Sequence, residues 1–178
     1  FTAQFWGKQE IEPIRKVLGM SIVTTSLIAL VFTLAATVMP RTVLGFYTND
    51  SAVIEIGAQY LRIVGFSYIP VAIATSYIAV MRSIQLVRMT VVATVSALVF
   101  KTILGYMLIF GIWIFPPLGV RGAAIGTASG WTLELILLIG FVYAQRTPLA
   151  ANFATLFSFP AAFFARVLKT TLPAMANE

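Results

Sequence analysis

The chain has 178 residues, of which 60% are hydrophobic and 10% are charged, and its mean hydropathy is +0.95. A typical globular domain is about 25% charged, so this composition indicates a membrane protein rather than a water-soluble one. The absence of His and Cys excludes zinc sites, thiol catalysis and disulfide scaffolds, and the twelve Lys and Arg residues are too scattered to predict a nucleic-acid partner.

Four long apolar runs predict four transmembrane helices, since about 20 apolar residues are needed to cross the hydrocarbon core. The sequence therefore predicts an all-α, polytopic transmembrane bundle over residues 17–143, preceded by a cytoplasmic connector over residues 1–16. Pro70 lies inside the second run and is expected to kink that helix. The predicted spans are 17–39, 58–81, 89–115 and 123–143.

The residues after the fourth span are predicted to leave the bundle and then re-enter the membrane. Residues 144–166 contain five Phe, which favours a segment lying along the membrane surface; a mobile cytoplasmic connector is the alternative. Residues 167–178 begin a fifth span, and we expect the rest of that span to lie in a longer protein. Its Pro173 is expected to bend the helix.

Counting basic residues at each end of the spans predicts the orientation in the membrane. Eight Lys and Arg fall on one side, against Arg41 and Arg121 on the other. The richer side should be cytoplasmic, which predicts a multi-pass protein of the inner (plasma) membrane with the lipid bilayer as its partner. The eight are Lys8, Arg15, Lys16, Arg82, Arg88, Arg146, Arg166 and Lys169.

Lys101 and Glu134 lie deep within the third and fourth spans, where an ionisable side chain costs about 2.5–3.5 kcal/mol. Each continues a stripe of small residues at intervals of four, and such stripes are where membrane helices approach closely. Both side chains are therefore expected to face protein rather than lipid. The packing stripes are Ala93, Ala97 and Gly105 around Lys101, and Gly122, Gly126 and Gly130 before Glu134.

The short loop between the third and fourth spans predicts that the two helices are antiparallel neighbours. A Lys101–Glu134 ion pair follows as a hypothesis, because it would lower the cost of both charges. The alternative is that water in a polar cavity satisfies each group separately.

Glu178 lies nine residues beyond Lys169, about 14 Å into the membrane by helical rise. A buried carboxylate on a bent helix can load and release a cation or a proton, so Glu178 is a candidate coupling site. The alternative is that the complete span continues differently beyond this residue.

Several short motifs occur in an order and spacing that resemble the multidrug and toxic compound extrusion (MATE) family. They cover essentially the whole sequence. In chain order they are QFWGK at 4–8, IRKVLG at 14–19, YLRI at 60–63, MRS at 81–83, YMLIFG at 106–111, LGVRGAAIGT at 118–127 and LP at 172–173.

The resemblance implies a twelve-helix transporter of two six-helix lobes, of which this chain would supply helices three to six and the start of helix seven. It implies export of small organic cations or amphiphilic drugs, driven by Na⁺ or H⁺ as coupling ion and with no other cofactor. The partners would be the remaining helices of the transporter. Glu178 matches the family's acidic residue on helix seven, whereas the acid of helix one lies outside the sequence.

Three residues depart from the family pattern. Lys101 and Gly105 stand where relatives commonly have Asn, and Trp131 stands where an Arg often precedes the Glu by three positions. The loss of that Arg together with the gain of Lys101 is what a relocated partner for Glu134 would look like.

Two other functions are compatible with the sequence: a flippase for lipid-linked saccharides from the same superfamily, and a non-transporting assembly subunit whose buried charges only specify helix pairing. An enzyme is not expected, because hydroxyls such as Ser129 and Thr132 have no His partner and no nucleophile, base or metal cluster converges.

Overall fold

The computed structural model describes residues 2–150 and Leu156. Pro173 and Glu178, the predicted fifth span and most of the predicted interfacial segment lie outside the described residues. Within the described part the structure contains seven α-helices and one 3₁₀ turn at Gly65–Ser67. The helices are α1 Thr2–Gly7, α2 Ile11–Val38, α3 Pro40–Gly45, α4 Ser51–Val64, α5 Tyr68–Ser83, α6 Val87–Phe110 and α7 Val120–Ala144.

Four helical stretches of the described chain are long and apolar enough to cross a membrane. Three are single helices, α2, α6 and α7, and the fourth is the continuous stretch Ser51–Ser83 formed by α4, the 3₁₀ turn and α5. The prediction of an all-α bundle with four membrane-spanning segments is therefore confirmed.

The helix boundaries differ from the predicted ones where local chemistry overrides hydropathy. α2 begins at Ile11, six residues before the predicted span, so residues 11–16 are helical. α4 begins seven residues before the predicted span, because the Asp50 carboxylate accepts hydrogen bonds from the Ala52 and Val53 amides (2.8 and 3.4 Å) and caps its first turn.

α6 ends at Phe110, although the apolar run continues to Phe115. Gly111 adopts a φ of 69°, a left-handed conformation that favours glycine and ends a helix. The loop then folds back, and the Leu118 amide donates to the Leu108 carbonyl (2.9 Å). The side chain of Trp113 in this loop is 90% exposed.

The second span changes helix type just before Pro70. The 3₁₀ turn Gly65–Ser67 separates α4 from α5, and Pro70 is the third residue of α5. The Thr33 hydroxyl of α2 donates to the Gly65 carbonyl (3.0 Å), which fixes the turn against the neighbouring helix. The position of this turn is consistent with a proline that cannot donate a backbone hydrogen bond.

The main apolar core lies at one end of the bundle, where α2 and α6 begin and α5 and α7 end. We call this the basic end, because it carries Lys8, Arg15, Lys16, Arg82, Arg88 and Arg146. Side chains of α2, α5, α6 and α7 form the core, and Phe5 and Trp6 of α1 pack against it. Its fully buried large side chains are Ile14, Leu18, Met81, Ile84, Leu138, Val142 and Leu149.

The opposite end of the bundle combines paired arginines with exposed aromatic rings. The Arg41 guanidinium donates to the Glu55 carboxylate (2.8 and 3.1 Å), and Arg121 donates to the Gln59 side chain (3.1 Å). Phe46 and Tyr47 follow α3 at this end and are almost fully exposed, as is Trp113.

Arg15 joins the first span to the segment after α7. Its guanidinium donates to the carbonyls of Pro148 (2.8 Å) and Ala150 (3.0 Å).

We expect Arg15→Met to lower the free energy of unfolding by about 1–2 kcal/mol, because two charge-assisted hydrogen bonds are lost. Unfolding in a dodecyl sulfate titration measures this. Lys16→Met is the control, and it should lower the free energy of unfolding by less than about 0.5 kcal/mol, since the ion pair of Lys16 with Glu12 is long (3.9 Å) and largely exposed. An equal loss of stability in both variants would contradict the prediction.

Candidate functional site

α6 and α7 make the most extensive contact of any helix pair in the described chain, and small residues allow it. A methyl group added at Gly122 would lie 2.6 Å from the Leu108 carbonyl, and one added at Gly126 would lie 2.6 Å from Gly105 Cα. Both are backbone atoms, so no side-chain movement could relieve the overlap. Gly122 and Gly126, two of the packing positions predicted from the sequence, thus lie directly against the backbone of α6.

The two stripes differ in what each glycine contributes. Ala93 and Ala97 of α6 are buried, as are Gly126 and Gly130 of α7. Gly105 is also buried, but a methyl group added there would meet no atom within 4 Å. The close approach at Gly105 therefore involves its backbone rather than a missing side chain.

A small cavity of about 70 Å³ lies between α6 and α7 next to this contact. Its volume is sufficient for water, and its lining brings an acid, a base and a hydroxyl together in the middle of two membrane spans. The lining residues are Thr94, Ala97, Leu98, Lys101, Gly130, Trp131 and Glu134.

Glu134 is the acid of this cavity and is only 3% exposed. It lies fourteen residues into α7, about 21 Å from the first residue of that helix. Its Oε1 accepts a short hydrogen bond of 2.6 Å from the Thr94 hydroxyl of α6. A carboxylate is thus held inside the bundle by a donor from the neighbouring helix.

Lys101 is the basic residue that lines the cavity, and its aliphatic chain packs along α7. Gly130 provides the space, since a methyl group there would overlap the Lys101 side chain. The ammonium lies 4.8 Å from the centroid of the Trp131 ring, a cation–π geometry that partly replaces lost hydration. Trp131, one of the three residues that depart from the family pattern, is therefore the aromatic partner of Lys101, another of the three.

Lys101 and Glu134 share the cavity without touching. In the described chain the ion pairs with an N···O separation of 4.0 Å or less are Lys16–Glu12 and Arg41–Glu55. Lys101 lies level with Gly130, one helical turn or about 6 Å before Glu134 on α7. This offset gives the two groups different nearest partners, Thr94 for Glu134 and Trp131 for Lys101. Energetic coupling between Lys101 and Glu134 stays a prediction.

Thr94 is the residue of this site that the sequence interpretation missed. It precedes Lys101 by seven residues, which places both on the same face of α6. The seven-residue spacing between Thr94 and Lys101 is therefore the sequence feature that indicates a shared helix face, but a hydroxyl carries no charge to draw attention to it.

A second polar cluster that was missed joins α2 to α5. The Ser76 hydroxyl lies 3.1 Å from Ser21 Oγ and 3.0 Å from Thr25 Oγ1, and Thr25 Oγ1 lies 3.2 Å from the Ala72 carbonyl oxygen. Beside it runs an open groove of about 410 Å³ whose walls are mostly apolar. The groove is lined by Thr25, Ile28, Ala29, Phe32, Tyr68, Val71, Ala72 and Thr75.

Comparison with known proteins identifies the family. The MatE family model matches residues 1–107, which is more than half of the chain. A probable multidrug resistance protein NorM of Bacillus licheniformis is 28% identical over 96% of this chain and 38% of its own length. A protein of the same name from Bacillus cereus is 30% identical over 77% of this chain and 30% of its own length.

The chain thus spans only 30–38% of the length of these curated relatives. No solved structure matches it significantly. The family match covers α1 to α5 and most of α6, and the described chain contains four helical stretches long and apolar enough to span a membrane. On this evidence the chain is a multi-pass membrane protein and belongs to the MatE family.

Proposed function

We propose that the chain forms part of a secondary active transporter that exports cationic or amphiphilic compounds in exchange for inward Na⁺ or H⁺. The described helices would belong to the first of two lobes, with Glu178 on the next helix as a cation- or proton-binding group. The relatives that carry a multidrug resistance name support this class of substrate.

The observation that carries the proposal is the Glu134 carboxylate in the middle of a membrane span. It is buried, accepts a hydrogen bond from Thr94, and faces a cavity that also contains Lys101. Ionisable groups inside a membrane are costly and are characteristic of ion and proton pathways in transporters. Alternating access between two lobes is the mechanism that repeated transporters share.

The groove between α2 and α5 supports an amphiphilic substrate. Its volume of about 410 Å³ falls in the range of small-molecule sites, and its walls are apolar with the hydroxyls of Thr25, Tyr68 and Thr75 among them. A flat organic cation could bury its rings there while a hydroxyl accepts a hydrogen bond from its polar group.

The protein is proposed to lie in the plasma membrane, with the basic end facing the cytoplasm. Six Lys and Arg of the described residues lie at this end, whereas Arg41 and Arg121 mark the opposite one. An excess of basic residues in short loops is typical of the cytoplasmic side.

The decisive experiment measures export of a fluorescent organic cation, ethidium, by the full-length protein under imposed Na⁺ or H⁺ gradients. We expect gradient-dependent export in the wild type. Glu178→Gln should lower the rate by about tenfold or more, because the amide cannot carry the charge that binds the coupling ion.

Glu12→Gln is the matched control, because Glu12 is an exposed acid at the basic end whose ion pair with Lys16 is long (3.9 Å). Its export rate should equal that of the wild type. Gradient-dependent export that persists in Glu178→Gln would remove Glu178 from the mechanism. A wild-type protein that exports under neither gradient would overturn the proposed function.

A further inference from the structure

A second groove lies at the basic end, between the first turn of α6 and the last turn of α7. Its volume is about 380 Å³, and it is separate from the cavity that contains Glu134. The groove is lined by Arg88, Met89, Val92, Phe141 and Gln145.

The polarity of this groove changes along the helix axis. Arg88 is the second residue of α6 and Gln145 directly follows α7, so both polar side chains lie at the mouth. Val92 lies one turn deeper, about 6 Å into the span, and Phe141 faces it from α7. The groove is therefore charged at the membrane surface and apolar below it.

The Arg88 guanidinium is exposed and makes no hydrogen bond or ion pair with any residue of the described chain. Arg15, Arg41 and Arg121 differ in this respect, because their guanidinium groups are bonded to protein oxygens. Among the unbonded arginines of the described chain, Arg88 is the one that lines the groove. A planar guanidinium offers paired donors that match the oxygens of a phosphate. The charge of Arg88 is available for a ligand from outside the described residues.

The surroundings of the groove also favour an anion. In the described residues the basic end carries six Lys and Arg but only two acids, Glu10 and Glu12. Glu12 is already engaged by Lys16. Basic pockets between transmembrane helices on the cytoplasmic side are typical sites for anionic lipid headgroups.

We propose that this groove binds one anionic phospholipid. Its phosphate lies against Arg88, the Gln145 amide contacts the headgroup, and the upper part of one acyl chain packs on Met89, Val92 and Phe141. Charge complementarity selects the anionic headgroup, and the apolar floor selects a lipid over a soluble phosphate.

Native mass spectrometry of the full-length protein tests the proposal. The delipidated protein is titrated with dioleoyl-phosphatidylglycerol or with dioleoyl-phosphatidylcholine, and the Kd of the first bound lipid is measured for each. We expect tighter binding of phosphatidylglycerol. Arg88→Gln should raise its Kd about fivefold, the effect of one cation near an anionic headgroup, and should leave the phosphatidylcholine Kd unchanged.

Two further variants separate a defined site from a diffuse charge effect. Arg82→Gln removes an exposed cation from the same end outside the groove and should leave both Kd values unchanged. Val92→Trp fills the floor of the groove and should weaken both lipids. Equal effects of Arg82→Gln and Arg88→Gln, or no effect of Arg88→Gln, would overturn the proposal; the latter is also the result expected if residues beyond 150 occupy the groove.

Discussion

Gly126→Ala is expected to lower the free energy of unfolding by about 1–3 kcal/mol, the usual cost of overpacking a close contact. The added methyl group would lie 2.6 Å from Gly105 Cα and 2.9 Å from Gly105 N. Because both atoms belong to the backbone of α6, the two helices must separate to accept it. A dodecyl sulfate titration of the purified full-length protein measures the loss.

Gly140→Ala is the matched control for this substitution. Gly140 lies on the same helix, and a methyl group there meets no atom within 4 Å. Alanine is the better helix former, so this variant should be as stable as the wild type or slightly more stable. Equal stability of Gly126→Ala and Gly140→Ala would show that α6 and α7 are not in close contact.

Lys101→Met and Glu134→Leu are each expected to lower the free energy of unfolding. The double variant should lose less stability than the sum of the two single losses. Each single variant leaves one ionisable side chain in the span without its opposite charge, although the partner from the other helix, Thr94 or Trp131, remains. The double variant removes both charges from the cavity. We expect a coupling free energy of about 1–3 kcal/mol in the double-mutant cycle, measured by the same unfolding titration.

A control cycle combines Lys101→Met with Glu55→Gln. Glu55 is paired with Arg41 at the opposite end of the bundle, so its effect should add to that of Lys101→Met without coupling. If the Lys101–Glu134 cycle is equally additive, the two charges do not interact, and water or their separate partners Thr94 and Trp131 stabilise each of them.

The architecture could be predicted from the sequence because the membrane imposes simple rules. Long apolar runs predicted the four spans, and of the small residues named as packing positions the structure places Gly122 and Gly126 against the backbone of α6. The ends of the spans were harder to predict. Hydropathy cannot distinguish the end of α6 from the apolar loop after it, which is why the predicted span continued past Gly111.

The sequence named the two ionisable residues of the candidate site but not the residues that contact them. The sequence indicated that Lys101 and Glu134 face each other's helices, and the structure places both on one cavity. Which partner each group takes depends on a one-turn offset between the helices, and the sequence pattern does not give this offset; in the structure α6 and α7 meet through backbone contacts at Gly122 and Gly126. The Thr94 hydrogen bond follows from that offset.

The exposed rings of Phe46, Tyr47 and Trp113 limit how this bundle can move relative to the bilayer. Tyr and Trp side chains are enriched at headgroup depth, so we expect Tyr47 and Trp113 to lie there with Phe46 beside them. A piston-like displacement along the membrane normal would carry all three away from that depth together, whereas a rocking motion about this end would leave them there. The aromatic end therefore favours rotation of this helix bundle about that end over translation along the membrane normal.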